Sequence, residues 1–97
     1  MRIIVRKTLL NFWKKYPDAE DPLKAWFKVV GEADWATPQA IKKTYSNASI
    51  LQDGRAVFNI AGNKYRLVAW INYPHRVVYI RFVGTHKQYD DTDAQNV

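Results

Sequence analysis

The hydrophobic repeat of this chain changes period once, and that change constrains the fold more than any other feature. Up to about residue 44 the apolar residues recur at helical spacing, and from Ala48 onward they alternate as in strands. Leu9, Phe12, Trp13 and Tyr16 stand at i, i+3, i+4 and i+7, one face of a helix, with Thr8 as the expected N-cap and Pro17 as the stop. Leu23, Trp26, Phe27 and Val30 repeat the stripe, with Lys24 and Lys28 turned outward. Asp21 is placed to cap this second helix, Pro22 to occupy its first position, and Gly31 to end it. Thr37-Pro38 opens a short third helix through about Lys43. Residues 1–5 are apolar and largely β-branched apart from Arg2, which predicts a strand. Arg6 interrupts that run, so no signal peptide is expected.

The second half is punctuated by turns. Asp53-Gly54 is a two-residue hairpin signal between segments 49–51 and 55–60. Gly62-Asn63 turns the chain into 64–73, and Tyr73-Pro74-His75 into 76–84. Four strands in a meander follow. Alternation puts Ala56, Phe58, Ile60, Leu67, Ala69, Ile71, Val78, Ile80 and Phe82 on one wholly apolar face. Asn59, Arg66, Trp70, Tyr79, Arg81 and Val83 fall on the other. The expected fold is α+β, one domain over residues 1–97, with the N-terminal strand and helices packed on one face of a twisted antiparallel sheet. The polar, acidic segment 90–97 reads as either a short ordered cap or a frayed end.

Composition narrows the function classes. With 97 residues, 47% apolar and 14% aromatic, the chain has enough core for one domain. The absence of cysteine excludes disulfides and thiolate zinc sites. No apolar run approaches the roughly 18–20 residues of a membrane span. The formal charge of +6 favours a polyanionic partner. Solubility or an acidic protein partner would explain the charge as well, but the aromatic content favours nucleic acid.

Two arginines, Arg66 and Arg81, stand mid-strand on the face away from the helices, and neighbouring strands offer them no carboxylate. An external anion is therefore their expected partner. The run His86-Lys87-Gln88-Tyr89 leaves the last strand beside them. Metal-free RNA cleavage needs these residue types: a base for the ribose 2′-hydroxyl, fixed cations on the phosphate and a donor for the departing 5′-oxygen. Arginine supplies a planar, permanently charged fork, and histidine ordinarily titrates near neutrality. On spacing alone, a non-catalytic RNA- or ribosome-binding sheet competes with this reading. A basic face that only docks an acidic protein is a third possibility. His75 and His86 lack ligand spacing. The carboxylates Asp90, Asp91 and Asp93 are the one conceivable magnesium cluster, although a solvated acidic tail is the simpler reading. Neither metal nor cofactor is expected.

The stretch Val57-Phe58-Asn59-Ile60-Ala61-Gly62-Asn63-Lys64-Tyr65-Arg66-Leu67-Val68, then Val78-Tyr79-Ile80-Arg81-Phe82-Val83-Gly84-Thr85-His86 and Tyr89-Asp90, resembles the HigB-type toxins of bacterial toxin–antitoxin pairs. Arg6-Lys7-Thr8-Leu9, Phe12-Trp13, Pro17-Asp18-Ala19-Glu20, Trp26 and Ala33-Asp34-Trp35-Ala36-Thr37-Pro38 extend the similarity over nearly the whole chain. The resemblance implies a RelE-like fold and a cytoplasmic endoribonuclease that cuts messenger RNA, usually on the ribosome, through the 2′-hydroxyl and without metal. It implies a toxin that is monomeric alone and forms a hetero-oligomer with a HigA-like helix-turn-helix antitoxin. Arg66 and Arg81 match positions that hold the scissile phosphate, His86 the general acid or base, and Tyr89 an aromatic that stacks on or orients a base. Asn63, Lys64 and Lys87 are the implied RNA contacts, with Asn59 an amide under the turn. Two residues depart from the family pattern. Ala61 replaces the first of a glycine pair, and Gln88 replaces an acidic neighbour of His86.

Overall fold

The computed structural model describes all 97 residues. Strand β1 (Arg2–Ile4) leads into α1 (Arg6–Lys15). A 3-10 turn at Pro17–Ala19 joins α1 to α2 (Glu20–Glu32), and α3 (Pro38–Thr44) follows. The sheet strands are then β2 (Ser49–Ile50), β3 (Arg55–Ile60), β4 (Tyr65–Asn72) and β5 (Val77–Thr85). A single-turn helix, α4 (His86–Asp90), comes last. The spatial order is β1-β5-β4-β3-β2. Strands β2 to β5 form the expected antiparallel meander, and β1 adds to β5 in parallel, pairing Arg2 with Val77. The helices between β1 and the meander act as a crossover, so no hairpin forces an antiparallel pairing there.

Three helix boundaries differ from expectation. Helix α1 begins at Arg6 with Val5 as an N-cap that offers no side-chain bond, and Thr8 already lies inside, its N–H on Val5 O at 3.2 Å. The 3-10 turn carries the chain directly into α2, so Asp21 and Pro22 sit in its first turn rather than at the cap and first position. Glu20 and Asp21 there face the positive end of the helix dipole. Gly31 does not end α2, which stops only where Ala33 turns extended. The α3 start is as expected: Thr37 Oγ1 accepts from Ala40 N at 3.3 Å and Pro38 follows the cap.

The helical stripes bury Leu9, Phe12, Trp13, Leu23, Trp26, Val30 and Ile41 against the sheet residues Ala56, Phe58, Ile60, Leu67, Ala69, Ile71, Val78 and Ile80. Phe58 is the hub. Its ring stacks on Trp35 at 5.9 Å and meets Trp26 and Tyr45 edge-on, each at 5.5 Å.

A β-bulge corrects the expected parity of β5. Val68 pairs with Phe82 but Ala69 pairs with Ile80, which leaves Arg81 as the extra residue. Beyond it the faces exchange: Val83 packs against the core, and Phe82 moves to the opposite face beside Val68. That second face is covered too. Val57 and Val68 are 1% and 0% exposed yet lie outside the helix-side cluster. The chain beyond α4 is tied to Gln52, Arg55 and Arg81. Gln95 Nε2 donates to Gln52 O at 2.8 Å and its Oε1 accepts from Gln52 N at 3.1 Å, while Arg55 donates to Val97 O at 2.8 Å. Of the two expectations for segment 90–97, the ordered cap is the one observed.

The turn from β3 to β4 places Ala61 at φ 55° and Gly62 at φ 69°. An L side chain in the left-handed region is strained and glycine is not. Ala61→Gly is expected to raise stability by about 0.5–1 kcal/mol, seen as a higher melting temperature in circular dichroism.

Candidate active site

Strand β5 runs straight into α4, and the junction is built by its own side chains. Thr85 Oγ1 accepts from Gln88 N at 3.2 Å, and Gln88 Oε1 accepts from Thr85 N at 2.9 Å. This capping box satisfies two donors at the helix start. Gln88 is therefore a capping residue rather than simply a lost charge. The acid near the histidine comes from one turn on: His86 Nδ1 stands 3.8 Å from Asp90 Oδ2. Gly84, opposite Arg66 in the sheet, makes room for the junction. A Cβ there would fall 2.5 Å from the Phe82 ring and 2.8 Å from Gln88 Oε1.

Across that junction lies Arg66. Its guanidinium meets His86 Nε2 at 2.8 Å and donates to Asn63 Oδ1 at 3.1 Å. It also sits 5.3 Å from the Tyr89 ring centre, while its buried Nε–H has no partner. Arginine can only donate, so in this contact Nε2 accepts, which leaves Nδ1, on the side of Asp90, as the ring's donor. The structure thus gathers Arg66, His86, Asn63 and Tyr89 at one end of the sheet.

Of the other expected site residues, Lys64 and Lys87 lie beside this cluster. Lys64 is bonded to the Asp18 carboxylate, which also accepts from the Tyr65 hydroxyl. Lys64, Lys87, Lys15, Tyr16 and His86 line an open cleft of about 480 Å³ beside α4. Asn59 pairs with Arg66 in the β3–β4 ladder, and it also lines a smaller cleft with Tyr45, Asn47 and Gly62. Arg81 is not brought to the cluster. The bulge carries it to segment 90–97, where its Nε donates to Val97 O at 3.3 Å. Nor do Asp90, Asp91 and Asp93 converge: Asp90 faces His86, and Asp93 accepts from Gln95 N and Asn96 Nδ2.

The Asp18–Lys64–Tyr65 group makes a pH prediction. Hydrogen bonds from Lys64 and then Tyr65 hold the Asp18 carboxyl below its ordinary value of 3.8. Asp18 in turn raises Lys64 above 10.5 and Tyr65 above 10.0. A depressed carboxyl contributes stability that is present above its unfolded pKa and lost as pH falls through the folded one. A raised lysine contributes stability that is present below 10.5 and lost as pH rises through its folded pKa. Asp18→Asn is therefore expected to melt below the wild type at neutral pH, and the two melting curves should converge in acid. A gap that persisted unchanged down to full carboxyl protonation would contradict this.

The pattern of the HigB toxin family, described as the RelE-like toxic component of a toxin-antitoxin system, matches residues 19–92. The chain belongs to this family. The mRNA interferase toxin HigB of Escherichia coli K12 is 32% identical over 92 residues, which cover 93% of this chain and 88% of that protein. The mRNA interferase HigB of Shigella flexneri has the same identity and coverage. That of Escherichia coli O6:H1 is 25% identical over 92 residues, covering 93% and 89%. Helices on one face of a five-stranded mixed sheet agree with the RelE-like fold that the HigB family implies. All four clustered residues lie within the matched span, whereas β1, α1 and Val97 lie outside it.

Proposed function

We propose that this HigB-family chain is an endoribonuclease that cuts messenger RNA on the ribosome by 2′-hydroxyl attack, without a metal ion. In this reading it is the toxic half of a cytoplasmic pair and is neutralised by a HigA-like helix-turn-helix antitoxin. No helix is long and apolar enough to cross a membrane.

The contact between Arg66 and His86 Nε2 carries the reading. An arriving phosphate draws the Arg66 fork onto its oxygens, where two charge-assisted bonds replace one to a neutral ring. Nε2 is then left with a free lone pair beside the substrate. It takes the 2′-hydroxyl proton as the 2′-oxygen bonds to phosphorus. The P–O5′ bond breaks, and the 5′-oxygen is protonated from the cleft side, where the Lys87 ammonium stands. Arg66 stabilises the charge on the pentavalent phosphate. Asn63 holds the fork from behind, and Tyr89 offers its ring to a neighbouring base.

The test is cleavage of a ribosome-bound message in EDTA. The expected products carry 2′,3′-cyclic phosphate ends, and His86→Ala should lower the rate by about 10²–10⁴-fold while the protein still folds. RNA binding without cleavage by the wild type would favour a binding module instead. A strict magnesium requirement would overturn the metal-free scheme.

A further inference from the structure

The cleft beside α4 carries more positive charge than its own carboxylate can answer. Lys15, Lys64 and Lys87 all line it, and Asp18 is the one acidic residue among its walls. Asp18 is already engaged, accepting from Lys64 and from the Tyr65 hydroxyl. Lys15 and Lys87 form no ion pair. They come from different elements, Lys15 from the end of α1 and Lys87 from α4, and the cleft that they line also reaches His86. Lys15 is exposed, but its backbone is held in place. The next residue, Tyr16, closes α1 with its N–H on Phe12 O at 3.0 Å, and its ring stacks on Phe12 at 4.7 Å and leans on Tyr65 at 5.7 Å. The helix dipole alone would explain a lysine at the end of α1. It would explain Lys14 equally, yet Lys14 does not line the cleft.

We infer that this cleft takes the nucleotide on the 3′ side of the cut, and that Lys15 holds the phosphodiester that follows it. The inference rests on the RNA-cleaving reading above, in which the 5′-oxygen departs toward Lys87. That oxygen belongs to the nucleotide that leaves, so the leaving strand starts in the cleft. The volume, about 480 Å³, falls within the roughly 300–1,000 Å³ of sites that hold one small molecule. Two unanswered ammonium groups call for anions, and an RNA strand supplies one with every nucleotide. Lys87 stands at the 5′-oxygen, and Lys15, from the other helix, meets the next phosphate along. An ammonium on a flexible four-carbon stem suits that task. A flanking phosphate needs charge and reach rather than the planar fork used on the reacting one. The half-buried Tyr16 ring gives the ribose between the two phosphates an apolar wall. Binding energy from Lys15 acts on the rate by holding the departing nucleotide in place beside His86.

The test is cleavage of a ribosome-bound message by the full-length protein at subsaturating concentration. A second message carries a neutral methylphosphonate in place of the phosphate one nucleotide beyond the mapped cut. The wild type is expected to cut it about tenfold more slowly than the natural message, the worth of one charge-assisted contact. Lys15→Ala should lose about tenfold on the natural message and nothing further on the neutral one, because residue and phosphate are the two halves of one contact. Lys15→Arg should keep most of the rate. Lys14→Ala, equally placed for the helix dipole, should match the wild type on both messages. Equal losses by Lys15→Ala on the two messages would put Lys15 on the ribosome instead, and no loss on either would leave it for a carboxylate of a protein partner. A loss in Lys14→Ala as large as that in Lys15→Ala would reduce the effect to net charge. Each of these three results overturns the subsite and leaves the cleavage reading standing, since the wild type still cuts. A wild type that cuts neither message removes both readings.

Discussion

Replacing Arg66 by alanine is expected to slow RNA cleavage by about 10²–10³-fold, the usual effect of removing one preorganised donor from a developing oxyanion. The substitution removes the proposed phosphate clamp and, with it, the donor that His86 Nε2 meets. Stability should fall little, since the guanidinium contacts Asn63, His86 and Tyr89, none of which belongs to the buried core. Arg66→Lys keeps the charge but loses the planar fork and its reach to two acceptors, so it should recover only part of the rate. Single-turnover cleavage together with a urea titration separates the two quantities. A rate near wild type in a folded Arg66→Ala protein would remove the clamp from the mechanism.

The largest effect on stability is expected at Phe58, far from the chemistry. Its ring fills the space between Trp26, Trp35 and Tyr45 and is 1% exposed. Phe58→Ala deletes the ring, and three large rigid side chains cannot collapse into the gap together. The expected cost is about 3–5 kcal/mol. Domains of this size are stable by about 5–15 kcal/mol, so the variant approaches or crosses the folding threshold. Phe58→Leu fills part of the space and should lose less than Phe58→Ala. A shift of the urea midpoint worth less than about 1 kcal/mol for Phe58→Ala would show that the helices repack freely over β3.

Much of this architecture is legible in the residues, because helical stripes and turn dipeptides report local geometry. The stripe at Leu9, Phe12 and Trp13 and the cap at Thr37 both appear where the spacing puts them. What is not local is not written in the period. The bulge at Arg81 arises from pairing with β4, and it silently reverses the faces of Phe82 and Val83, so alternation along β5 alone misplaces them. Helix α4 is too short to show a hydrophobic repeat, yet Thr85-x-x-Gln88 is a capping signal that could have revealed it and explained Gln88. Asp90 becomes visible as the acid near His86 only once that helix is recognised, since i and i+4 share a face. In the sequence Arg55, a strand's first residue beside a hairpin turn, looks like ordinary surface charge. Only the fold of residues beyond α4 shows what it faces.

The parallel pairing of β1 with β5 also governs when the protein can finish folding. Arg2 must find Val77, so the outer edge of β5 stays open until nearly all the intervening chain has been synthesised and its helices have docked. Contacts this distant close slowly, since loop entropy is lost before the sheet repays it. His86 follows directly on Thr85, the last residue of β5. The strand that carries it is thus completed on both sides only at the last step of assembly. A chain in which β5 has not yet formed has neither the histidine nor its supporting strand in place, so the site is absent from every partly made copy.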